Sequence, residues 1–128
     1  MNNKPAEAPE DVLHFWFGDT WPDDWPDDDR NPLWFGGGPE RDQQIRDRFG
    51  PLVEAALHGE LARWENPMPS RLALVILLDQ FSRNVYRGLA RAFAGDGQAQ
   101  RLVLQSLALQ HDHELPIVGR VFLYMPLM

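Results

Sequence analysis

The chain has 128 residues, no cysteine and a formal net charge of −7. This length suits one domain spanning residues 1–128, whose folding buries roughly two-thirds of the surface that the unfolded chain exposes. Without thiols there are no disulfides or thiolate metal sites, which fits a cytoplasmic location, and the acidic balance opposes a nucleic-acid partner, whose phosphates need clustered Lys and Arg.

Residues 1–9 contain no apolar run, so no secretory signal is expected there. No later stretch reaches the length of a membrane span, and no membrane partner is expected. Pro9 followed by Glu10 and Asp11 opens a helix through Val12, Phe15 and Trp16 that Gly18 can end. Pro39 and Glu40 start a second helix, with Ile45, Phe49, Leu52, Val53, Ala56 and Leu57 on one face. Pro51 lies inside this pattern and predicts a kink or split near Phe49 and Gly50. The segment from Ser70 to Asn84 is apolar almost all round, which places it at the centre. Asp96 is expected to cap a fourth helix, with Ala99, Leu102, Val103 and Leu107 inward, and Pro116 begins a fifth through Val118, Phe122 and Met125. The fold class is therefore all-α, built of antiparallel helical hairpins.

Residues 18–38 break the periodicity with a long loop rich in Trp, Pro and Asp. Its rings Trp21, Trp25, Trp34 and Phe35 argue against disorder, and the loop is expected to pack as a cover, with Trp21 and Trp34 as its main contacts. A binding lid is the alternative. Asp23, Asp24, Asp27, Asp28 and Asp29 lack the glycine and terminal glutamate of a calcium loop and read as solvated surface. Gly36, Gly37 and Gly38 precede a helix start, yet no lysine pair of the phosphate-loop type follows. His111, Asp112, His113 and Glu114 adjoin in sequence without a spacing that makes them converge on a metal. No metal site and no cofactor is expected.

The polar segment within the central helix carries the chemistry. Asp79 is an acid among Leu77, Leu78 and Phe81 and needs partners. Arg83 and Arg87 follow at four-residue steps, and Gln80 and Asn84 lie on an adjacent face. Two readings stand open: a structural network including Arg91, Asp96 or Arg120, or an anion site in which two guanidinium forks grip a carboxylate or phosphate.

The run from Leu78 to Gly88, with Ala92 to Asp96, Phe122 to Leu127 and, upstream, Val12 to Phe17 and Trp34-Phe35, resembles the bacterial domain of unknown function 924 family. The resemblance covers nearly the whole chain. It implies a helical fold like that of tetratricopeptide-repeat proteins and no established activity. With Arg91 from the polar segment and Tyr124 from the resembling one, the candidate site comprises Asp79, Gln80, Arg83, Asn84, Arg87, Arg91 and Tyr124. Family members often carry proline where this chain has Ser82, which speaks against an essential serine nucleophile. They also continue with a His-Ser-Glu segment and further helices, so this chain reads as truncated at its C-terminal end. Val118, Val121, Phe122 and Met125 are then not all expected to be buried within one copy, and self-association through that end is expected. The functional expectation is a helical domain that binds a small anionic ligand or a protein or peptide partner; the alternative is a small enzyme acting on an anionic metabolite through its Asp and Arg residues.

Overall fold

The computed structural model describes residues 7–23 and 25–128. Asp24, one of the loop acids, lies outside them. Among the described residues there are helices and turns and no strand. Helix α1 spans Pro9–Phe17, α2 Pro39–Leu57, α3 Met68–Ile76, α4 Ser82–Val85, α5 Asp96–Ala108 and α6 Ile117–Tyr124. A π-turn, Leu77–Phe81, joins α3 to α4, so the helical path runs on from Met68 to Val85.

This path is the centre of the molecule, as its all-round apolar character predicts. Leu72, Leu74, Ile76, Leu77, Leu78 and Phe81 have no exposed surface, and α1, α2, α5 and α6 all pack against some part of it. An aromatic cluster fills the space between α1 and its neighbours. Phe81 meets Phe15 and Trp16 edge-on at centroid distances of 5.8 and 5.5 Å, and Trp16 meets Phe122 of α6 at 5.4 Å. Offset and edge contacts of this kind add roughly 0.5–1.5 kcal/mol each beyond the area they bury.

Two expectations need correction. Helix α2 continues through Pro51 without a split. The carbonyl that Pro51 leaves without a donor belongs to exposed Asp47, on the solvent side where such a group is open to water, and Pro51 itself is exposed. Asp96 is the first residue of α5 and does not cap it; Gly95 holds the cap position without a side-chain bond, and the Asp96 carboxylate turns to Arg83. As expected, the four apolar positions at the C-terminal end are not all buried within one copy: Val118 and Phe122 are buried, Val121 and Met125 half-buried, and Ile117, Leu127 and Met128 beside them are exposed.

The long loop is held to the helices by its own side chains. The last carbonyls of α1 have no helical donors. Arg30 Nη1 donates to the Phe15 carbonyl at 2.9 Å and Trp34 Nε1 to the Trp16 carbonyl at 2.8 Å. Trp21 stacks on Phe17 at 4.5 Å and presses on α6 at Gly119, where a β-carbon would come within 2.9 Å of the indole. Only hydrogen fits there. Trp21 and Trp34 are half-buried, whereas Trp25 and Phe35 are exposed, so the cover is partial. Pro32–Gly36 forms a second π-turn within this loop. Its Trp34 and Phe35 stand next to the central helix.

Candidate functional site

Gln80, Arg83, Asn84 and Arg87 recur at three- and four-residue intervals, so the helical path sets them on one stripe. The stripe begins inside the π-turn Leu77–Phe81, a local widening that is frequent at functional sites. Opposite stand Trp34, Phe35, Gly36 and Gly37, with Trp16 between the two walls. They enclose an open cleft of about 300 Å³. The chain turns away from Pro39 at Gly37, whose φ of +78° suits glycine, and a β-carbon there would approach Arg87 Nη2 to 3.3 Å.

Three carboxylates hold the arginines, and two of them, Asp79 and Asp42, are buried. Asp79 accepts from Gln80 Nε2 at 2.8 Å and lies 3.7 Å from Arg83 Nη2. Arg83 Nη1 donates to Asp96 and to the Ala92 carbonyl, each at 2.8 Å, and the guanidinium covers the Phe93 ring at 4.6 Å. Burial pushes the Asp79 carboxyl above its ordinary value, against the opposing pull of Arg83 and Gln80. Asp42, from the first turn of α2, takes a two-pronged bond from Arg87, Nε at 2.6 Å and Nη2 at 3.0 Å, and a third from Asn84 Nδ2 at 3.0 Å. The Arg87 hydrogen bonds hold it below the ordinary carboxylate value, although burial opposes them. The expected stripe of one acid and two arginines is thus split among three acids.

Each arginine belongs to an ion-pair network and also lines the cleft. Among the described residues Arg87 Nη1 and Arg83 Nε have no protein partner. Those two N–H groups, the second amide hydrogens of Gln80 and Asn84, and the aromatic wall are what the cleft offers a ligand. Trp16 Nε1 is buried without a partner among the described residues.

Other expected site residues lie elsewhere. Arg91 pairs with Glu54 of α2, lowering that carboxyl, and sits over the Tyr86 ring. Tyr124 donates to Asp112 at 2.7 Å, which lowers the Asp112 carboxyl. Arg120 is occupied by the carbonyls of Leu115 and His113. Ser82 is fully buried, its hydroxyl 2.6 Å from the Leu78 carbonyl and 3.1 Å from that of Ala92. Among the described residues no three potential metal-ligating side chains gather. Trp34 lines the cleft, whereas Trp21 packs on Phe17 and α6. Asp42 was missed by sequence reasoning, because 45 positions separate it from Arg87 and no local spacing links them.

Residues 12–128 match the family described as "Bacterial protein of unknown function (DUF924)". The chain belongs to this family. A solved structure of a protein of unknown function from Agrobacterium tumefaciens is similar to this family member, with 34% identity and a TM-score of 0.75 over 92% of the chain. The chain spans 61% of that protein's length. No curated protein matches it. None of the helices is long and apolar enough to cross a membrane, among the described residues.

Proposed function

We propose that this family member is a binding domain whose arginine cleft takes a small anionic ligand. The observation that carries the reading is the convergence of Arg83, held by half-buried Asp96, and Arg87, held by buried Asp42, each keeping an N–H without a protein partner among the described residues, beside an aromatic wall. Pinning matters because a guanidinium already fixed in place loses little freedom on binding, so more of each hydrogen bond appears as affinity. Its place in a cytoplasmic, tetratricopeptide-like setting is supported by the lack of cysteine and the helical hairpins. Self-association through exposed Ile117, Leu127 and Met128 is part of the same proposal.

A titration against inorganic phosphate, sugar phosphates, nucleotides and dicarboxylates, read by thermal shift, tests it. A true ligand at about 100 times its dissociation constant stabilises the fold by about 2.7 kcal/mol. The shift should vanish in Arg87→Gln, with far-UV circular dichroism showing that variant folded. If none of these anions shifts the melting point, the reading is wrong.

The second reading is enzymatic, and the upward-shifted Asp79 favours it. Asp79 is hydrogen-bonded to Gln80 and lies 3.7 Å from Arg83, both on the cleft wall, and a carboxyl whose charged form is disfavoured can serve as general acid or base toward a substrate that comes within hydrogen-bond reach of it. Turnover of a bound anion that Asp79→Asn abolishes without loss of binding would establish it.

A further inference from the structure

The arginine ridge has a second side. After α4 the chain turns at Gly88 and folds back through a short helical turn, Ala90–Phe93, whose Ala92 carbonyl is tied to Arg83. The fold-back creates another open cleft, about 350 Å³, on which Arg83 and Arg87 are again wall residues. The two clefts therefore meet at the same pair of guanidiniums. Their chemistry differs. The first offers amide groups and N–H donors, and in the second the arginines are the only polar side chains. Leu89 and Phe93, which line the second cleft, are 60% and 59% exposed, large apolar side chains left open to water beside two charges. Isolated exposed apolar residues are ordinary; two on the wall of a cleft that ends on a pair of cations are a surface with a head-and-tail polarity.

We infer that the ligand is a single amphipathic anion, its charged head among Arg83, Arg87, Gln80 and Asn84 and its short apolar tail across the ridge on Leu89 and Phe93. The inference rests on the anion-binding reading of the first cleft and adds the class of ligand. Charge complementarity fixes the orientation, because the cations stand at the junction and only the second cleft is apolar apart from them. The face of Phe93 turned to Arg83 is already occupied by the guanidinium at 4.6 Å, so the tail lies along the remaining exposed ring surface and Leu89.

The test is a calorimetric titration of the whole chain with straight-chain carboxylates from propionate to octanoate. Inorganic phosphate serves as the tail-less reference and hexanamide as the head-less one. Affinity should rise about threefold to fourfold per methylene over the first few carbons, the gain expected for burying each such group. Hexanamide should not bind. Leu89→Ser should flatten the chain-length dependence while leaving phosphate binding unchanged, because Leu89 is exposed and its loss leaves every arginine contact in place; Phe93→Ser should flatten it too, with phosphate binding altered through the lost Arg83 contact. If phosphate and the acids bind through Arg87 with an affinity that ignores chain length, the tail site is overturned and the anion cleft stands. Chain-length dependence lost in Phe35→Ser and kept in Leu89→Ser also overturns it, by putting the tail under the other wall. If neither phosphate nor any acid binds, the anion-binding reading itself has failed and the inference goes with it.

Discussion

Asp79 and Asp42 are both acids nine-tenths buried, both joined to an arginine of the same helical stripe, and their environments drive them in opposite directions. Asp42 takes three hydrogen bonds, two of them from one guanidinium, and the charged form wins. Asp79 has a single amide bond and a guanidinium 3.7 Å away whose shorter bonds go to Asp96 and Ala92, and burial wins. What separates them is both the bonding of the charged form and the desolvation of the carboxyl itself: burial is the leading influence on Asp79, and the Arg87 bonds are the leading influence on Asp42. A pair of acids pushed apart in this way is a common ground plan for binding and catalytic sites.

The largest effect that can break the comparison is loss of Arg83. Arg83→Ala removes the attraction on Asp79, takes from Asp96 its donor and leaves the Ala92 carbonyl to the Ser82 hydroxyl alone. Separating a fully buried pair costs roughly 3–5 kcal/mol, and because the Arg83 side chain is a third exposed and 3.7 Å from Asp79 the lower end of that range, about 3 kcal/mol, is the upper bound expected, to be read by urea unfolding at pH 7. The stranded Asp79 has an escape, since it can take up a proton. The deficit should therefore shrink as the pH falls toward the carboxylate range, beginning above 3.8, the ordinary aspartate value. A deficit constant from pH 8 to 4 would mean that Asp79 is not the group left stranded.

Next in size is Asp42→Asn, which puts an amide where Arg87 expects an acceptor fork. Bonds to a charged partner are worth roughly 1.5–3 kcal/mol in stability, and because Arg87 is half exposed the lower half of that range is expected. The sign with pH is opposite. A folded value below 3.8 means that the stabilisation is fully present above the unfolded value and is lost as pH falls through the lower folded one. The gap between the native chain and Asp42→Asn should thus persist to pH 4 and close only in stronger acid. Closure at pH 5 would show that Arg87 does not hold the charge.

The contrast between the two acids also marks how far the sequence could be read. The spacing of Asp79, Gln80, Arg83, Asn84 and Arg87 announced a polar stripe on an apolar helix, because helical neighbours are set by local geometry alone. The helix positions were legible for the same reason, as was the family. The partner of Arg87 was not, since Asp42 reads as an ordinary first-turn acid and its meeting with Arg87 depends on how α2 packs on α4. Nor was the π-turn at Leu77–Phe81, which leaves the apolar pattern intact while altering the backbone. Pro51 misled in the opposite direction: a missing hydrogen bond splits a helix only where no water can replace it, and at Asp47 water can.

The smallest expected effect is the most telling. Asp79→Asn keeps the shape, removes the buried charge, and gives up a loose attraction to Arg83 at 3.7 Å. At pH 7 these nearly cancel, so the variant should lie within about 1 kcal/mol of the native chain, as replacements of buried charges by neutral groups often do. The pH dependence separates the two contributions. Because the folded Asp79 value is raised above 3.8, the native fold takes up a proton before the unfolded chain does. Asp79 therefore contributes stability that is fully present below the unfolded value and is lost as pH rises through the folded one. Measured by denaturant unfolding from pH 8 downward, the native chain should gain on Asp79→Asn as the pH approaches 4. If it loses ground over that interval, the Arg83 and Gln80 contacts outweigh burial. Asp79 would then be a second Asp42, and the proton-transfer role read from the difference between them would have no support.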